Sequence, residues 1–184
     1  LEFRRVLFRS EDVSRSFSHL LRIVPANGWV LRNGDDPNLL ALPDAPWTRM
    51  LAVGQGPGND LVIDGFEEDR CGSRFRLVWR GTEVARIDWS MPGLFNARNL
   101  AMAALASALA QGASTQGFAG EGNPFRDGWA NGFSSCRGVK RRQEQLVDRT
   151  DLVALSDFAH HPTAIAGALE SLQARWPEIG RAHV

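Results

Sequence analysis

The chain has 184 residues, with 21 lysines and arginines balanced by 21 aspartates and glutamates, so its formal net charge is zero. This balance excludes a general attraction to nucleic acid, and an anionic ligand would have to be bound through local geometry. The two cysteines, Cys71 and Cys136, form no CxxC pair, which argues against structural zinc and a disulfide framework and favours a cytoplasmic protein. No apolar run reaches the roughly 20 residues that span a bilayer, so we expect no membrane segment.

The two ends of the chain follow no secondary-structure pattern. Residues 1–10 alternate apolar residues with arginines, and residues 178–184 break off after a helical pattern. Two interpretations stay open: non-native or truncated sequence, and frayed native termini. Neither segment contributes to the predicted site.

The first half of the chain predicts one helix followed mainly by strands. Residues 11–23 carry apolar side chains at the spacing of an amphipathic helix. "GWVLRN" (28–33) predicts a short buried strand, "GDDPNLLAL" a turn and a short helix, and "MLAVG" (50–54) another strand, which ends at the turn "GQGPGND". Short alternating runs over about 59–90, with "RGTE" as a hairpin turn, predict a small antiparallel meander.

The second half predicts a long helix and then a strand–loop–helix unit. Residues 91–112 are rich in Ala, Leu and Met, while residues 113–135 are rich in Gly, Ser and Asn and predict loops. "LVAL" predicts a buried strand of the parallel type, and the helix 162–176 has apolar residues at Ile165, Leu169, Leu172 and Trp176. This succession is typical of an α/β protein.

The segment "SDFAHHPTAI" (156–165) contains half of the four histidines of the chain. Asp157 comes just after a predicted strand, where ligand-binding side chains of α/β sheets gather. His160 and His161 are adjacent and would diverge by about 100° on a helix start, so we predict no metal site. A purely local role, in which Asp157 and His160 make hydrogen bonds at a helix entry, stays equally open.

Two further groups of residues are candidates for nucleotide binding. Asn96 and Asn99 are spaced to share one face of a helix, and their amides offer the donors and acceptors that suit a purine edge. The alternative is a helix cap at Asn96 with Asn99 simply exposed. Residues 137–142 hold four basic side chains, including Arg142, which suit phosphate or form a solvated surface.

Taken in order, the motifs "GLFNARN", "GVKRRQE" and "DFAHHPTAI" resemble those of the Mur ligase family, over about residues 11–177. Phe158, Ala159 and Ala164 make the last motif resemble the branch that joins UDP-N-acetylmuramate to the tripeptide L-Ala-γ-D-Glu-meso-diaminopimelate in peptidoglycan recycling. The L-alanine-adding branch usually has tyrosine, glycine and an acid at these positions.

The resemblance implies an α/β fold in two parts. Residues 11–146 would form the second half of a central ATPase domain, with the antiparallel meander. Residues 147–177 would form the first βα unit of a C-terminal Rossmann-like domain, whose strand near 152–156 would lack partners from its own domain.

The resemblance also implies an ATP- and Mg²⁺-dependent ligase that activates a carboxylate as an acyl phosphate. Asn96 and Asn99 would lie near the adenine, Arg142 would reach a phosphate, and Asp157 would contact the ribose side with His160 beside it. Two positions depart from the family pattern: Phe95 stands where a histidine is common, and Ser156 where an acid is common.

No GxxxxGK[ST] loop occurs in these 184 residues, so we expect this chain by itself to be inactive. Two alternatives remain: a fragment of the UDP-N-acetylmuramate–L-alanine ligase, and a non-catalytic α/β module that binds anionic partners.

Overall fold

The computed structural model describes residues 10–115, 125, 132, 140–149 and 152–177. The elements in these ranges are α1 (Ser10–Ile23), β1 (Trp29–Asn33), α2 (Pro37–Leu40), β2 (Arg49–Gly54), β3 (Leu61–Asp69), β4 (Gly72–Trp79), β5 (Thr82–Trp89), α3 (Leu94–Thr115), β6 (Glu144–Arg149), β7 (Leu152–Ser156) and α4 (Pro162–Arg175). The predicted terminal segments lie outside the described residues, except that Ser10 begins α1.

The larger sheet is mixed and runs in chain order from β1 to β5. β1 pairs with β2 in parallel, and β2 pairs with β3 in parallel over only two residue pairs. β3, β4 and β5 are antiparallel and form the predicted meander. The α/β class is therefore confirmed, and the parallel and antiparallel parts share one sheet.

The core lies between this sheet and α3. Leu61, Ile63 and Leu77 of the sheet are almost completely buried, as is Leu105 of α3. α3 also turns alanines towards the core at helical spacing, at positions 97, 101 and 104, and such small side chains let a helix approach a sheet closely. α3 extends to Thr115, three residues beyond the predicted end. No helix among the described residues has the length and apolar character needed to cross a bilayer.

α1 forms as predicted, but most of its apolar side remains in contact with solvent. Leu21 is buried, whereas Val13, Phe17, Leu20 and Ile23 are exposed. The prediction of β1 as a buried strand is also too strong, because all five of its residues are only half-buried.

The second sheet corrects the prediction for residues 152–156. β7 is not without a partner: it pairs with β6, and the pairing is antiparallel rather than parallel. β7 is also not fully buried, since Leu152 is 49% exposed. An apolar run such as "LVAL" fits either strand direction, because the direction is set by the partner. The predicted domain boundary after residue 146 falls inside β6.

α4 begins at Pro162 as predicted but buries only part of the predicted face. Ile165 and Leu169 are exposed, while Ala168, Ser171 and Arg175 are buried. The other two predicted apolar positions are covered, since Trp176 is buried and Leu172 is half-buried, so the apolar pattern holds only at the C-terminal end of the helix. The rest of the buried face includes polar side chains that form hydrogen bonds.

Candidate functional site

A cavity of about 950 Å³ lies between α3 and α4. Four of the five predicted site residues line it: Asn96, Asn99, Arg142 and Asp157. The fifth, His160, does not, and the neighbouring His161 lines the cavity instead. The fold therefore brings together residues from three separate segments of the sequence.

Asn96 and Asn99 occupy different environments on the first two turns of α3. Asn96 is buried, and its Nδ2 donates a hydrogen bond to the Pro92 carbonyl oxygen at 2.6 Å. Because α3 begins at Leu94, Asn96 lies within the helix and is not its N-cap. Asn99 is exposed, and its side chain bonds to no other residue in the part of the chain that the structure describes.

These environments predict different effects of two matched substitutions. Asn96→Ala removes a buried hydrogen bond and should lower the free energy of unfolding by about 1 kcal/mol. Asn99→Ala should change it by less than about 0.5 kcal/mol, since the side chain is exposed. Urea denaturation of both variants checks this, and equal losses would contradict the environments described.

The Asp157 carboxylate accepts two local backbone hydrogen bonds. Its Oδ2 accepts from the Gln143 N–H at 2.9 Å, and its Oδ1 accepts from the Ala159 N–H at 2.6 Å. The local role left open by the sequence is thus present. Each carboxylate oxygen can accept more than one hydrogen bond, so capacity remains for a ligand on the cavity side.

The two histidines differ in their contacts. His160 is exposed, its Nδ1 lies 3.0 Å from the Phe158 carbonyl oxygen, and its ring packs edge-on against the Phe158 ring. His161 immediately precedes α4, and its side chain caps no helix N–H. Within the described ranges, no three His, Cys, Asp or Glu side chains form a group that could hold a metal ion.

The basic segment divides between two environments. The guanidinium of Arg141 lies over the Phe158 ring, 5.4 Å from its centroid, while Arg142 lines the cavity. Lys140 is exposed, and Arg137 lies outside the described residues. The described part of this segment therefore does not act as one uniform basic surface.

An ion pair between Asp35 and Arg98 fixes the start of α3 at the edge of the larger sheet. Arg98 lines the cavity, and its Nη2 lies 2.9 Å from Asp35 Oδ2. Asp35 follows β1, and its carboxylate also accepts hydrogen bonds from the N–H groups of Gln55 and Gly56, which follow β2. A single carboxylate thus joins the ends of two parallel strands to the helix that carries the asparagines.

The hydrogen bonds of Asp35 determine its ionisation. Burial alone raises the pKa of this carboxyl group, but hydrogen bonds from the Gly56 and Gln55 N–H groups oppose that effect. Side-chain hydrogen bonds from Arg98 and Asn59 add to them, and the pKa falls from 3.8 to about 2. Asp35 is therefore an anion at any pH near neutrality.

A second polar cluster, formed by Glu68, Gln143, Ser171 and Arg175, holds α4 in place. Ser171 donates to Glu68 Oε2 at 2.7 Å, and Arg175 Nη1 donates to Gln143 Oε1 at 2.9 Å. The Arg175 guanidinium also lies 4.2 Å from the centroid of the Trp176 ring. Burial lowers the pKa of Arg175, and the charge of Glu68 partly opposes this.

Sequence reasoning missed both clusters for different reasons. Asp35 carries the same signal as Asp157, an acid just after a strand, but the residues "GDDP" by themselves predict only a turn. Gln143 and Ser171 carry no such signal, because their contacts join distant parts of the chain. Ser171 lies 28 residues after Gln143 and 103 residues after Glu68.

No protein-family model matches the chain, but individual proteins do. It is 28% identical over 166 residues to the UDP-N-acetylmuramate–L-alanine ligase of Desulfosudis oleivorans, covering 90% of this chain and 34% of that protein. It is 27% identical over 164 residues to the UDP-N-acetylmuramate–L-alanyl-gamma-D-glutamyl-meso-2,6-diaminoheptandioate ligase of Haemophilus influenzae, covering 88% and 32%. The chain thus spans about one third of the length of the curated relatives it matches.

Solved structures show the same fold. MurF from Acinetobacter baumannii matches 90% of this chain and 33% of its own, with a TM-score of 0.66 and 18% identity. The murein peptide ligase from Psychrobacter arcticus matches 89% and 32%, with a TM-score of 0.57 and 24% identity. Several homologues therefore support the Mur ligase family for this chain, as a segment matching about one third of such a ligase.

Proposed function

We propose that this chain is a fragment of a cytoplasmic, ATP-dependent Mur ligase. The parent would join UDP-N-acetylmuramate to L-Ala-γ-D-Glu-meso-diaminopimelate through an acyl phosphate, in peptidoglycan recycling. The observation that carries the proposal is the convergence of Asn96, Asn99, Arg142 and Asp157 on one cavity. Sequence motifs alone predict these residues as a site, and the residues come from three separate segments of the chain.

The cavity suits a nucleotide in size and in the groups that it offers. Its volume of about 950 Å³ lies within the range of small-molecule sites. The Asn99 amide is available to a purine edge, and Arg142 to a phosphate, for which its planar donors are well shaped. Asp157 would accept a hydrogen bond from a ribose hydroxyl. ATP, when bound, would supply the phosphoryl group that activates the substrate carboxylate.

We assign no Mg²⁺ ligand to the described residues, because they contain no cluster of acidic side chains suited to the ion. In the proposed parent, the metal and the triphosphate would be held mainly by residues outside this segment. The 184-residue chain should therefore neither hydrolyse ATP nor ligate substrate. A phosphate-release assay on the purified chain tests this, and turnover above the buffer background would refute it.

The proposed domain organisation assigns residues 11–146 to the central domain and 147–177 to the start of the C-terminal domain. The pairing of β6 with β7 favours placing the junction just before β6, near Arg142. The nucleotide would then lie between the two domains, with the asparagines on one side and Asp157 on the other.

The test of the proposal uses the full-length parent. Arg142→Ala should lower ATP-dependent ligation at least about tenfold, because a charge-assisted contact to phosphate is lost. Arg15→Ala is a matched control, since Arg15 is exposed on α1 and lies outside the cavity. Full activity of both Arg142→Ala and Asp157→Ala would overturn the site assignment.

A second candidate is the L-alanine-adding ligase, favoured by the Desulfosudis oleivorans relative, which matches about as well as the tripeptide ligase does. Rates of the full-length parent with the tripeptide and with L-alanine decide between the two. The third candidate, a binding module for anionic partners, instead predicts salt-sensitive binding to polyanions without a preference for adenine. The separation of Arg141 from Arg142 counts against it.

A further inference from the structure

We infer that Glu68, Ser171 and Gln143 form a positioning relay that fixes the separation of the two cavity walls. The asparagine wall is the start of α3, and the aspartate wall is the loop of Asp157. This inference rests on the proposed function, in that the cavity between these walls is taken to bind the nucleotide. The relay residues would act on affinity through the walls rather than as the main nucleotide contacts.

At the asparagine wall, Glu68 holds the backbone just before α3. Glu68 Oε2 accepts a hydrogen bond of 2.7 Å from the N–H of Gly93. Gly93 has a φ of +92°, and a side chain there would collide with the Phe95 ring. The entry to α3 thus has a specific conformation, and Asn96 follows three residues later.

At the aspartate wall, Gln143 holds Asp157 through its backbone and α4 through its side chain. Its N–H donates to Asp157 Oδ2, and its Nε2 donates to the Ala168 carbonyl oxygen at 3.4 Å. Gln143 is only 6% exposed and has a φ of +50°, a region that residues other than glycine seldom adopt. Such a conformation persists where the surrounding contacts enforce it.

Ser171 joins Glu68 to α4. It is 2% exposed, and its hydroxyl lies 2.7 Å from Glu68 Oε2 and 3.3 Å from Gln143 Oε1. The hydroxyl has one proton, which the shorter contact to the carboxylate takes. Gln143 Oε1 is then satisfied by Arg175.

The contacts tie Gly93 to α4 through Glu68 and Ser171, and they tie α4 to Asp157 through Gln143, which bonds to Ala168 and Arg175 of the same helix. Although Glu68 and Ser171 line the cavity, Glu68 Oε2 and the Ser171 proton are already used in these contacts. This is the reason to assign them a positioning role. Loss of one member should let α4 and its loop move relative to α3.

The test measures the wall separation directly. Spin labels at Ala103 of α3 and Gln173 of α4, both exposed, report the distance in a chain whose Cys71 and Cys136 are replaced by serine. Ser171→Ala and Glu68→Ala should each broaden the distance distribution at least about twofold, because the walls are no longer tied. Glu68→Gln keeps an acceptor oxygen and should retain the narrow distribution, as should the matched control Ser16→Ala on α1.

Calorimetric titration of the full-length parent with ATP provides the second readout, in which Ser171→Ala should weaken binding about tenfold relative to the unchanged parent. An unchanged distance distribution in folded Ser171→Ala and Glu68→Ala would overturn the relay, whatever the affinity. Broadened distance distributions together with a full-length parent that binds no ATP would leave the relay standing and remove the proposed nucleotide site. If Ser171→Ala does not fold, the comparison of Glu68→Ala with Glu68→Gln decides.

Discussion

Replacement of Asp35 by alanine is expected to lower the free energy of unfolding by about 3 kcal/mol, because it leaves partly buried donors and a partly buried arginine without their acceptor. The Asp35 side chain is 19% exposed and that of Arg98 is 27% exposed, so water would compensate only in part. The loss falls on the edge where the parallel strands end and α3 begins. We therefore expect nucleotide affinity to fall as well.

Urea denaturation measures this loss. Asp44→Ala is the matched control, since Asp44 is exposed and should change the free energy of unfolding by less than about 0.5 kcal/mol. Equal stabilities for the two variants would show that the Asp35 cluster contributes nothing net.

The same carboxylate predicts a pH dependence. Its pKa is 3.8 in an unperturbed chain and about 2 in the fold, so the folded state binds this proton less tightly. The stabilisation, about 2 kcal/mol, is therefore complete well above pH 3.8 and is lost as the pH falls towards 2. Asp35→Asn should show a correspondingly smaller loss of stability over this range in acid titrations followed by circular dichroism.

Replacement of Leu105 by alanine is expected to cost about 3–4 kcal/mol, the usual range for deleting a fully buried leucine side chain. Leu105 lies in the middle of α3, shows no exposed surface and belongs to the core formed by the helix and the larger sheet. Loosening this contact should also make the first turns of α3 less well ordered, although Asn96 and Asn99 are chemically unchanged.

Leu146→Ala is the matched control for this substitution, because Leu146 of β6 is 62% exposed. Thermal and urea denaturation of the two variants should separate them by at least about 2 kcal/mol. A similar loss in the free energy of unfolding for both variants would mean that α3 is not the main structural element of the core.

The sequence predicted those elements whose signal is local. The meander follows from alternating runs with a turn between them, and α3 follows from its composition. The pairing of β6 with β7 could not be predicted, because an apolar run such as "LVAL" indicates neither the partner strand nor the direction of pairing. The buried face of α4 could not be predicted in full either. Apolar spacing predicts that Leu169 is buried, whereas the fold exposes it and buries Ser171 and Arg175.

The sequence predicts the residues that line the candidate site but not the residues that hold them in place. Asn99, Arg142 and Asp157 belong to recognisable motifs, and the fold places them around one cavity. Their supports are residues of ordinary types whose partners lie far along the chain. Arg98 and Asp35 are 63 residues apart in the chain, and their ion pair can form only when helix and sheet are both in place.

The hydrogen bond between Ser171 and Glu68 also has a consequence for the order of folding. It joins residues 103 positions apart, so the ends of a long segment must meet before it can form. During synthesis, the larger sheet and α3 leave the ribosome well before α4 does, and domains tend to fold from the N-terminal side as they emerge. The cavity is therefore expected to be the last feature to assemble, completed when α4 arrives on a sheet that already exists.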